Sequence, residues 1–153
     1  MKGIFLVNLG SPDSPQPKDV KPYLDEFLMD KYVLDFPYIF RALLVRGIIL
    51  RKRPEASAEA YQKIWTEEGS PLIVLSKKMY QKVQAKTSLP VALGMRYGNP
   101  SIESGLQELY DQGVRDVLML PLYPQYAMAS TLTILVLAEK IRKEKFPDMK
   151  ITD

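Results

Sequence analysis

The segment Gly3-Ile4-Phe5-Leu6-Val7-Asn8-Leu9 is followed directly by Gly10-Ser11-Pro12-Asp13-Ser14-Pro15. Five of the first seven residues are apolar and do not alternate with polar ones, which is typical of a strand buried on both faces. The Gly, Ser and Pro residues that follow cannot continue a strand. Ligands of parallel α/β sheets bind outside the carboxyl ends of the strands. We therefore expect the loops after the other strands to converge on Ser11 to Ser14.

The composition is that of a globular domain and excludes several kinds of site. The 153 residues are 46% hydrophobic and 25% charged, which is enough for one domain with its own core. The chain has no Cys, so disulfides, thiolate metal sites and Cys nucleophiles are excluded, and it has no His, the commonest metal ligand and general base. The net charge of +3 is too small to predict nucleic-acid binding.

The sequence also predicts the cellular location. No apolar run approaches the roughly 20 residues of a membrane span, and no secretory signal is visible, so we expect a cytoplasmic protein. The segment from Met149 to Asp153 resembles the beginning of a strand. We therefore expect the sequence to be a piece of a longer protein.

Helical patterns dominate the stretch after the first loop. We expect an amphipathic helix with Asp19 as its N-cap, a helix over 38–50, a short helix over 55–65 and a helix from Pro71 to about Ala85 with its apolar stripe buried. The helix over 38–50 is apolar nearly all round, which favours a buried helix. The alternative is a hydrophobic lip over an apolar ligand or a bilayer surface. The cations of Arg51-Lys52-Arg53 follow it, either as a solvated helix end or as a clamp for carboxylates or phosphates.

Three further strands alternate with helices. They are predicted over 89–95, over 117–122 and from about Met149, and Asn99 is expected to cap the helix after the second strand. Regular alternation predicts right-handed crossovers. We expect a single domain over 1–153: a three-layer α/β/α sandwich with a four-stranded parallel sheet, Rossmann-like or flavodoxin-like, with a helical excursion between strands 1 and 2.

Polar residues follow the strands at their predicted carboxyl ends. Arg96-Tyr97 follows the second strand, and Tyr123-Pro124-Gln125-Tyr126 follows the third. Arg96 could bind an anion or pair with a neighbouring carboxylate, and the two tyrosines could face an aromatic ligand or simply pack. The first loop has neither the G-x-G-x-x-G nor the G-x-x-x-x-G-K-[ST] spacing of a phosphate-binding loop.

Four motifs in the same order resemble the ferrochelatase family, in its bacterial form, over essentially the whole chain. They are Asn8-Leu9-Gly10-Ser11-Pro12-Asp13, Tyr61 with Gly69-Ser70-Pro71-Leu72, Gly94-Met95-Arg96-Tyr97-Gly98, and Leu120-Pro121-Leu122-Tyr123-Pro124-Gln125-Tyr126. The resemblance implies the amino-terminal chelatase-type domain of an enzyme that inserts ferrous iron into a porphyrin in haem synthesis.

The resemblance also implies roles for individual residues. Those expected to bind the porphyrin are Leu9, Ser11, Asp13, Leu24, Phe27, Arg53, Tyr61, Ser70 and Tyr126. Those expected near the side from which the metal is delivered are Arg96, Tyr97 and Tyr123. The family's catalytic His and its partner carboxylate are expected beyond residue 153, so this chain alone is expected to be inactive. Because it has no Cys, we expect no iron–sulfur cluster within it.

The expected partners are the porphyrin, the carboxyl-terminal domain, and a second copy of the chain where apolar surface is exposed. Residues 39–50 are a candidate for peripheral membrane contact. Two other functions stay open from the residues alone. One is a flavodoxin-like ligand-binding module without catalysis, and the other is a protein-interaction domain that docks a partner through residues 39–50.

Overall fold

The computed structural model describes residues 1–153 and contains alternating strands and helices. The strands are β1 (Lys2–Ser11), β2 (Val91–Gly98), β3 (Asp116–Pro121) and β4 (Lys150–Thr152). The helices are α1 (Pro17–Leu28), α2 (Tyr38–Leu44), α3 (Leu50–Ile64), α4 (Pro71–Gln84), α5 (Ile102–Asp111) and α6 (Thr133–Lys145). Two π-helical turns, Val45–Ile49 and Met128–Leu132, precede α3 and α6.

All four strands run parallel, in the order β2-β1-β3-β4. Ile4 of β1 is in register with Leu118 of β3, and Leu118 is in register with Thr152 of β4. The predicted parallel α/β fold with a helical excursion after β1 is confirmed. Because parallel strands share a direction, the carboxyl ends of β1, β2 and β3 lie at one edge of the sheet, as expected for their loops.

The main core lies between one face of the sheet and helices α5 and α6. Phe5 and Val7 of β1 and Met119 of β3 are fully or almost fully buried there, against Leu106 of α5 and Ile134 of α6. These strand residues alternate with residues on the opposite face, which follows from the period of two in a strand. The uninterrupted apolar run of β1 therefore supplies both faces of the sheet.

The chain forms two compact units. Unit 1 comprises residues 1–9, 75–96 and 100–153, and contains most of the sheet with α5 and α6. Unit 2 comprises residues 10–74 and 97–99, and contains α1, α2 and α3. Within unit 2, α1 and α3 pack on each other and bury Val20 and Ala58. That residues 1–153 form a single domain stays a prediction.

Several helix boundaries differ from the expected ones. Helix α1 is capped by Gln16, and Asp19 lies in its first turn, where its carboxylate accepts a hydrogen bond from Ser14 Oγ at 2.5 Å. Helix α5 is capped by Ser101, whose side chain accepts a hydrogen bond from the Ser104 backbone, and not by Asn99. Only Ser101 caps its helix through the side chain, since Gln16 makes no side-chain cap hydrogen bond, and the spacing alone misplaces both helix starts by a few residues.

The exposure of two helices and the continuity of a third also differ from expectation. The segment over 38–50, expected to be buried, leaves Ile39 70% and Phe40 67% exposed. On α4, Leu75 and Met79 are exposed although they belong to its predicted buried stripe. The predicted break near Pro54 does not end a helix either, because α3 runs through it. A periodic apolar pattern indicates which side chains tend to be buried. It does not show whether other parts of this chain bury them.

Candidate functional site

The loop after β1 is held in place by hydrogen bonds within unit 2. The Asn99 side-chain amide lies 3.1 Å from both carboxylate oxygens of Asp13, and Asp13 is itself exposed. Ser11 is only 3% exposed, and its Oγ has no hydrogen-bond partner. A buried hydroxyl without a partner is uncommon in folded proteins. The loop therefore presents one oriented carboxylate and one unsatisfied polar atom.

An aromatic cluster in unit 2 brings together Phe27 and Tyr61, which are predicted to bind the porphyrin, and Tyr97, which is predicted to lie near the metal-delivery side. Phe27 stacks on Tyr23 with a centroid separation of 6.4 Å, and Tyr61 meets the same Tyr23 ring edge-on at 6.4 Å. Tyr97 contacts Phe27 edge-on at 5.2 Å, and Trp65 contacts Tyr61 at 6.2 Å. Edge-to-face and offset arrangements of this kind are the favourable ones for aromatic rings.

Tyr23 is the centre of this cluster, although sequence reasoning assigned it only to the buried face of a helix. Its ring contacts Phe27, Tyr61 and Tyr97, and its hydroxyl donates to the Gly10 carbonyl at 3.3 Å. The signal that could have found it is the pair of aromatic residues at i and i+4, Tyr23 and Phe27, on one face of α1. Tyr23 positions the other rings and the start of the first loop.

Tyr97 is fully buried and binds a carboxylate of its own unit. Its hydroxyl donates to Asp30 Oδ2 at 2.6 Å, and Asp30 Oδ1 accepts from the Tyr32 backbone at 2.8 Å. Asp30 also accepts backbone hydrogen bonds from Val33 and Leu34. Tyr97 therefore fixes the turn after α1, and its predicted contact with the metal-delivery side stays a prediction.

The remaining predicted residues of unit 2 differ in accessibility. Leu24 and Ser70 are buried at 8% and 5% exposure, so they support the unit from within. Arg53 is exposed on α3, and no acidic side chain pairs with it. Tyr61 is half-buried on the same helix, and burial raises its pKa above the usual range. Among these residues, Arg53 and Tyr61 are the ones with accessible side chains.

In unit 1 the predicted residues gather at the carboxyl edge of the sheet. Leu9 is the last residue of β1 that belongs to unit 1, and Arg96 lies near the end of β2. Arg96 Nε donates to the buried Thr133 Oγ1 at 2.7 Å, at the start of α6. Tyr123 follows β3, and Tyr126, three residues later, is 66% exposed. This edge therefore presents a guanidinium and two phenol groups.

The Tyr123 hydroxyl is buried and has no hydrogen-bond partner. Burial raises the pKa of Tyr123 to about 12, and the positive charge of Arg96 opposes part of that rise. An unfolded tyrosine titrates near pH 10, so in the window from about 10 to 12 the unfolded chain loses this proton first. The free energy of unfolding therefore falls as the pH rises through that window.

We expect Tyr123→Phe to unfold at the same urea concentration as the parent at pH 7, or a slightly higher one, because no hydrogen bond is lost. Near pH 11 the variant should be the more stable protein, since the proton linkage is removed. Urea unfolding followed by circular dichroism measures both differences. Tyr126→Phe, at an exposed position, is the control and should change neither value. A loss above about 1 kcal/mol at neutral pH would mean that the Tyr123 hydroxyl has a partner.

Unit 2 also carries an exposed apolar patch, formed by Phe36, Tyr38, Ile39, Phe40, Leu43 and Ile48, whose exposures run from 49% to 70%. Its anchor is Arg41, which is 8% exposed. Arg41 Nη1 donates to the carbonyls of Leu34 at 3.2 Å and Phe36 at 2.8 Å. Sequence reasoning missed this residue, because one Arg within an apolar helix gives no signal of a backbone clamp. The clamp fixes the segment that leads into the patch.

No group of three or more His, Asp or Glu side chains is placed to hold a metal ion. None of the helices combines the length and the apolar character needed to cross a membrane.

Known proteins resemble this chain along its whole length. The ferrochelatase family profile matches residues 1–153. The ferrochelatase of Azotobacter vinelandii (strain DJ / ATCC BAA-1303) is 57% identical over 132 residues, which cover 86% of this chain and 39% of the relative. That of Pseudomonas fluorescens (strain SBW25) is 50% identical over 150 residues, 97% of this chain and 44% of the relative. That of Ectopseudomonas mendocina (strain ymp) is 49% identical over 150 residues, with the same coverage.

The chain thus spans less than half the length of these curated bacterial relatives. A profile match over every residue, together with identities near one half, is far beyond what a shared α/β architecture alone produces. The resemblance inferred from the four sequence motifs is therefore confirmed, and the chain belongs to the ferrochelatase family.

Proposed function

We propose that this chain is the amino-terminal half of an enzyme that inserts ferrous iron into protoporphyrin or a related porphyrin, a lyase of haem synthesis in the cytoplasm. The observation that carries the proposal is the ferrochelatase match over residues 1–153. In this proposal the catalytic His and its partner carboxylate belong to the other half, since this chain contains no His. The half described here binds and orients the porphyrin, and holds no resident metal or iron–sulfur cluster.

The chemistry of unit 2 suits a porphyrin, which is a flat apolar disc with carboxylates at its edge. The cluster around Tyr23 offers aromatic surface, and the Tyr61 ring lies at its accessible side. Arg53 lies eight residues earlier on α3 and has no acidic partner within the protein. An unpaired guanidinium can bind a propionate with two parallel hydrogen bonds. We assign Arg53 to the rim and Tyr61 to the face of the macrocycle.

Arg53→Ala is expected to weaken protoporphyrin binding about three- to tenfold, the usual range for a partly exposed ion pair with two hydrogen bonds. The stability of the protein should be unchanged, because Arg53 makes no contact that the substitution breaks. A titration of the protein into protoporphyrin, followed at the Soret band, measures the affinity. Tyr61→Ala should weaken binding as well, through loss of aromatic contact.

The matched control for Arg53→Ala is Arg51→Ala. Arg51 is also exposed and carries the same charge, but it lies two residues earlier on α3 and therefore about 200° around the helix. Arg51→Ala should retain the parent affinity. Equal losses in the two variants would mean that the net charge attracts the porphyrin, and would contradict a rim contact at Arg53.

The apolar patch over 36–48 favours a second role, peripheral contact with a bilayer or with another protein. Large exposed apolar areas on a soluble domain commonly mark interaction surfaces. Arg51 and Lys52 follow the patch, as in interfacial helices whose cationic side chains bind anionic lipid. Cosedimentation with vesicles containing phosphatidylglycerol tests the bilayer contact. Binding lost in Phe40→Glu would support it, and no binding in the parent would reject it.

A further inference from the structure

Four easily oxidised rings of unit 2 lie in a row that runs from accessible surface to the interior of the unit. The ring centroids of Trp65 and Tyr61 lie 6.2 Å apart. Tyr23 follows at 6.4 Å from Tyr61, and Tyr97 follows at 6.5 Å from Tyr23. Trp65 and Tyr61 are half-buried, whereas Tyr23 is 7% exposed and Tyr97 is fully buried. Each ring of the row meets the next edge-on, so the row is continuous.

The ring types in this row are those that transfer single electrons. Indole and phenol rings lose one electron far more easily than a benzene ring does. Phe27 also contacts Tyr23 and Tyr97, but its ring does not take part in this chemistry. Because neighbouring rings of the row are in contact, an electron vacancy on one of them can be filled from the next. A vacancy that forms on Trp65 or Tyr61 can therefore move inward to Tyr97.

The hydrogen bond of Tyr97 makes this residue the inner end of the path. Removal of an electron turns a phenol hydroxyl into a strong acid, so a neutral tyrosyl radical forms where a base accepts the proton. The Tyr97 hydroxyl donates to Asp30 Oδ2 at 2.6 Å, and Asp30 is 7% exposed. Tyr23 instead donates to the carbonyl of Gly10, which is a far weaker proton acceptor than a carboxylate. The vacancy is therefore expected to be most stable on Tyr97.

We propose that unit 2 contains an electron-transfer path that reduces haem after its oxidation by a peroxide, and that the path consists of Trp65, Tyr61, Tyr23 and Tyr97. The proposal rests on the proposed function, in which haem is the product and Tyr61 lies at the face of the macrocycle. One electron passes from Tyr97 through Tyr23 and Tyr61 to the oxidised haem, and the Tyr97 proton passes to Asp30. The step yields haem reduced by one electron, a neutral Tyr97 radical and protonated Asp30.

The path protects the porphyrin site from its own product. Haem that has reacted with a peroxide oxidises nearby side chains and the macrocycle itself. Transfer of the vacancy to Tyr97 moves it to a ring that is fully buried and therefore shielded from solvent. A thiolate reductant at the accessible end of the row restores the protein, because it supplies one electron while Asp30 returns the proton to Tyr97.

Electron paramagnetic resonance of rapidly frozen samples tests the path without a porphyrin. A ruthenium polypyridyl complex, oxidised by light and persulfate, removes single electrons from accessible Trp and Tyr side chains. The chain should give a tyrosyl radical that persists after the flash, and Tyr97→Phe should lose most of it. Tyr23→Phe should lose it as well, although the ring remains, because a benzene ring does not carry the vacancy. The control is Tyr80→Phe, at a half-buried tyrosine outside the row, which should leave the signal unchanged.

Asp30→Asn tests the proton transfer separately. The amide oxygen can still accept the hydrogen bond from Tyr97, but it cannot take up the proton, so the radical should decay faster than in the parent. Circular dichroism and the fluorescence of Trp65 show whether each variant is folded. Since Tyr23→Phe and Asp30→Asn change the path at different steps, the proposal stays testable if Tyr97→Phe does not fold.

Haemin and hydrogen peroxide test the assignment of the path to the porphyrin site. The chain mixed with haemin and then with peroxide should give the same tyrosyl radical, and Tyr23→Phe should lose it and bleach the Soret band faster. Arg53→Ala weakens the proposed rim contact, so it should lower the radical yield with haemin and leave the yield with ruthenium unchanged.

The path and the proposed function can fail separately in these experiments. Equal radical yields with ruthenium in the parent, Tyr23→Phe and Tyr97→Phe would overturn the path. A Tyr97 radical with ruthenium, together with no Soret shift on addition of haemin, would retain the path and count against the proposed function. Bound haemin that gives no Tyr97 radical with peroxide would retain the function and overturn the proposed reduction of haem.

Discussion

The chain alone is expected to bind protoporphyrin weakly and to insert neither iron nor zinc above the uncatalysed background. Metal insertion releases protons from the pyrrole nitrogens, so it needs a base that titrates near the working pH. His is the side chain that does so without perturbation, and this chain has none. Asp13 is the carboxylate of the first loop, but both of its oxygens already accept hydrogen bonds from the Asn99 side-chain amide.

The loss should be large, because a general base alone contributes about 10²- to 10⁴-fold to a rate. Half of a binding cleft also loses the ability to hold the macrocycle bent, which costs further rate through lost binding energy. Zinc insertion, followed by the change in porphyrin fluorescence, measures the activity. A fusion of residues 1–153 to the remaining carboxyl-terminal part of the Azotobacter vinelandii relative is the control, and it should restore insertion at least about a hundredfold.

Insertion by residues 1–153 at a rate near that of the fusion would contradict this prediction. It would mean that the catalytic groups lie in this half, and Asp13, Tyr123 and Arg96 would then be the residues to substitute first. Inactivity of both proteins, with porphyrin bound normally by the chain, would instead count against the proposed activity.

The strands could be predicted from the sequence because their signals are local. The apolar run Ile4 to Val7 needs burial on both faces, and the Pro and Gly residues after β1 and β2 stop each strand within a few residues. The alternation of strands and helices then restricts the connections to right-handed crossovers. Together these local rules predict a parallel sheet, whereas the order β2-β1-β3-β4 follows only from the structure.

The surface could not be predicted in the same way, because an apolar pattern identifies residues that tend to be buried and does not show whether they are covered. Ile39 and Phe40 lie in a helix that is apolar nearly all round, which predicts burial, and yet both are exposed. Leu118 alternates with the buried Met119, and yet it is 44% exposed.

The continuity of α3 through Pro54 was also beyond sequence reasoning. A proline inside a helix lacks the N–H that would bond to the carbonyl four residues earlier, here that of Leu50. Leu50 has a ψ of 1°, far from the helical value near −42°, and it directly follows the π-helical turn Val45–Ile49. The distortion that a proline requires is thus absorbed at Leu50, and α3 continues to Ile64.

The candidate site was predicted in its residue types but not in its contacts. Arg53 and Tyr61 present accessible side chains, in keeping with a ligand contact, whereas Tyr97 is buried against Asp30. No local pattern connects residues 67 positions apart, so this hydrogen bond had no signal in the sequence. Motifs identify residues that matter, and only the fold separates those that touch a ligand from those that hold the others.

Gly98→Ala is expected to destabilise unit 2 strongly. Gly98 has φ of 77°, a left-handed conformation that costs other residues about 1–2 kcal/mol. A Cβ there would also lie 2.7 Å from the Ser11 carbonyl oxygen, which is backbone and cannot rotate away. Strain and steric overlap together predict a loss of about 3 kcal/mol or more in the free energy of unfolding.

Trp65 makes this measurement specific, because it is the single Trp of the chain and belongs to unit 2. Its fluorescence during urea unfolding should show the transition of Gly98→Ala at clearly lower urea than that of the parent. Gly47→Ala is the control, since no atom lies within 4 Å of its added Cβ. Alanine also suits a helix better than glycine by about 1 kcal/mol, so this variant should be equally or more stable. Coincident transitions for Gly98→Ala and the parent would mean that residues 97–99 move away from Ser11 at little cost, and that the first loop is not held by this close approach.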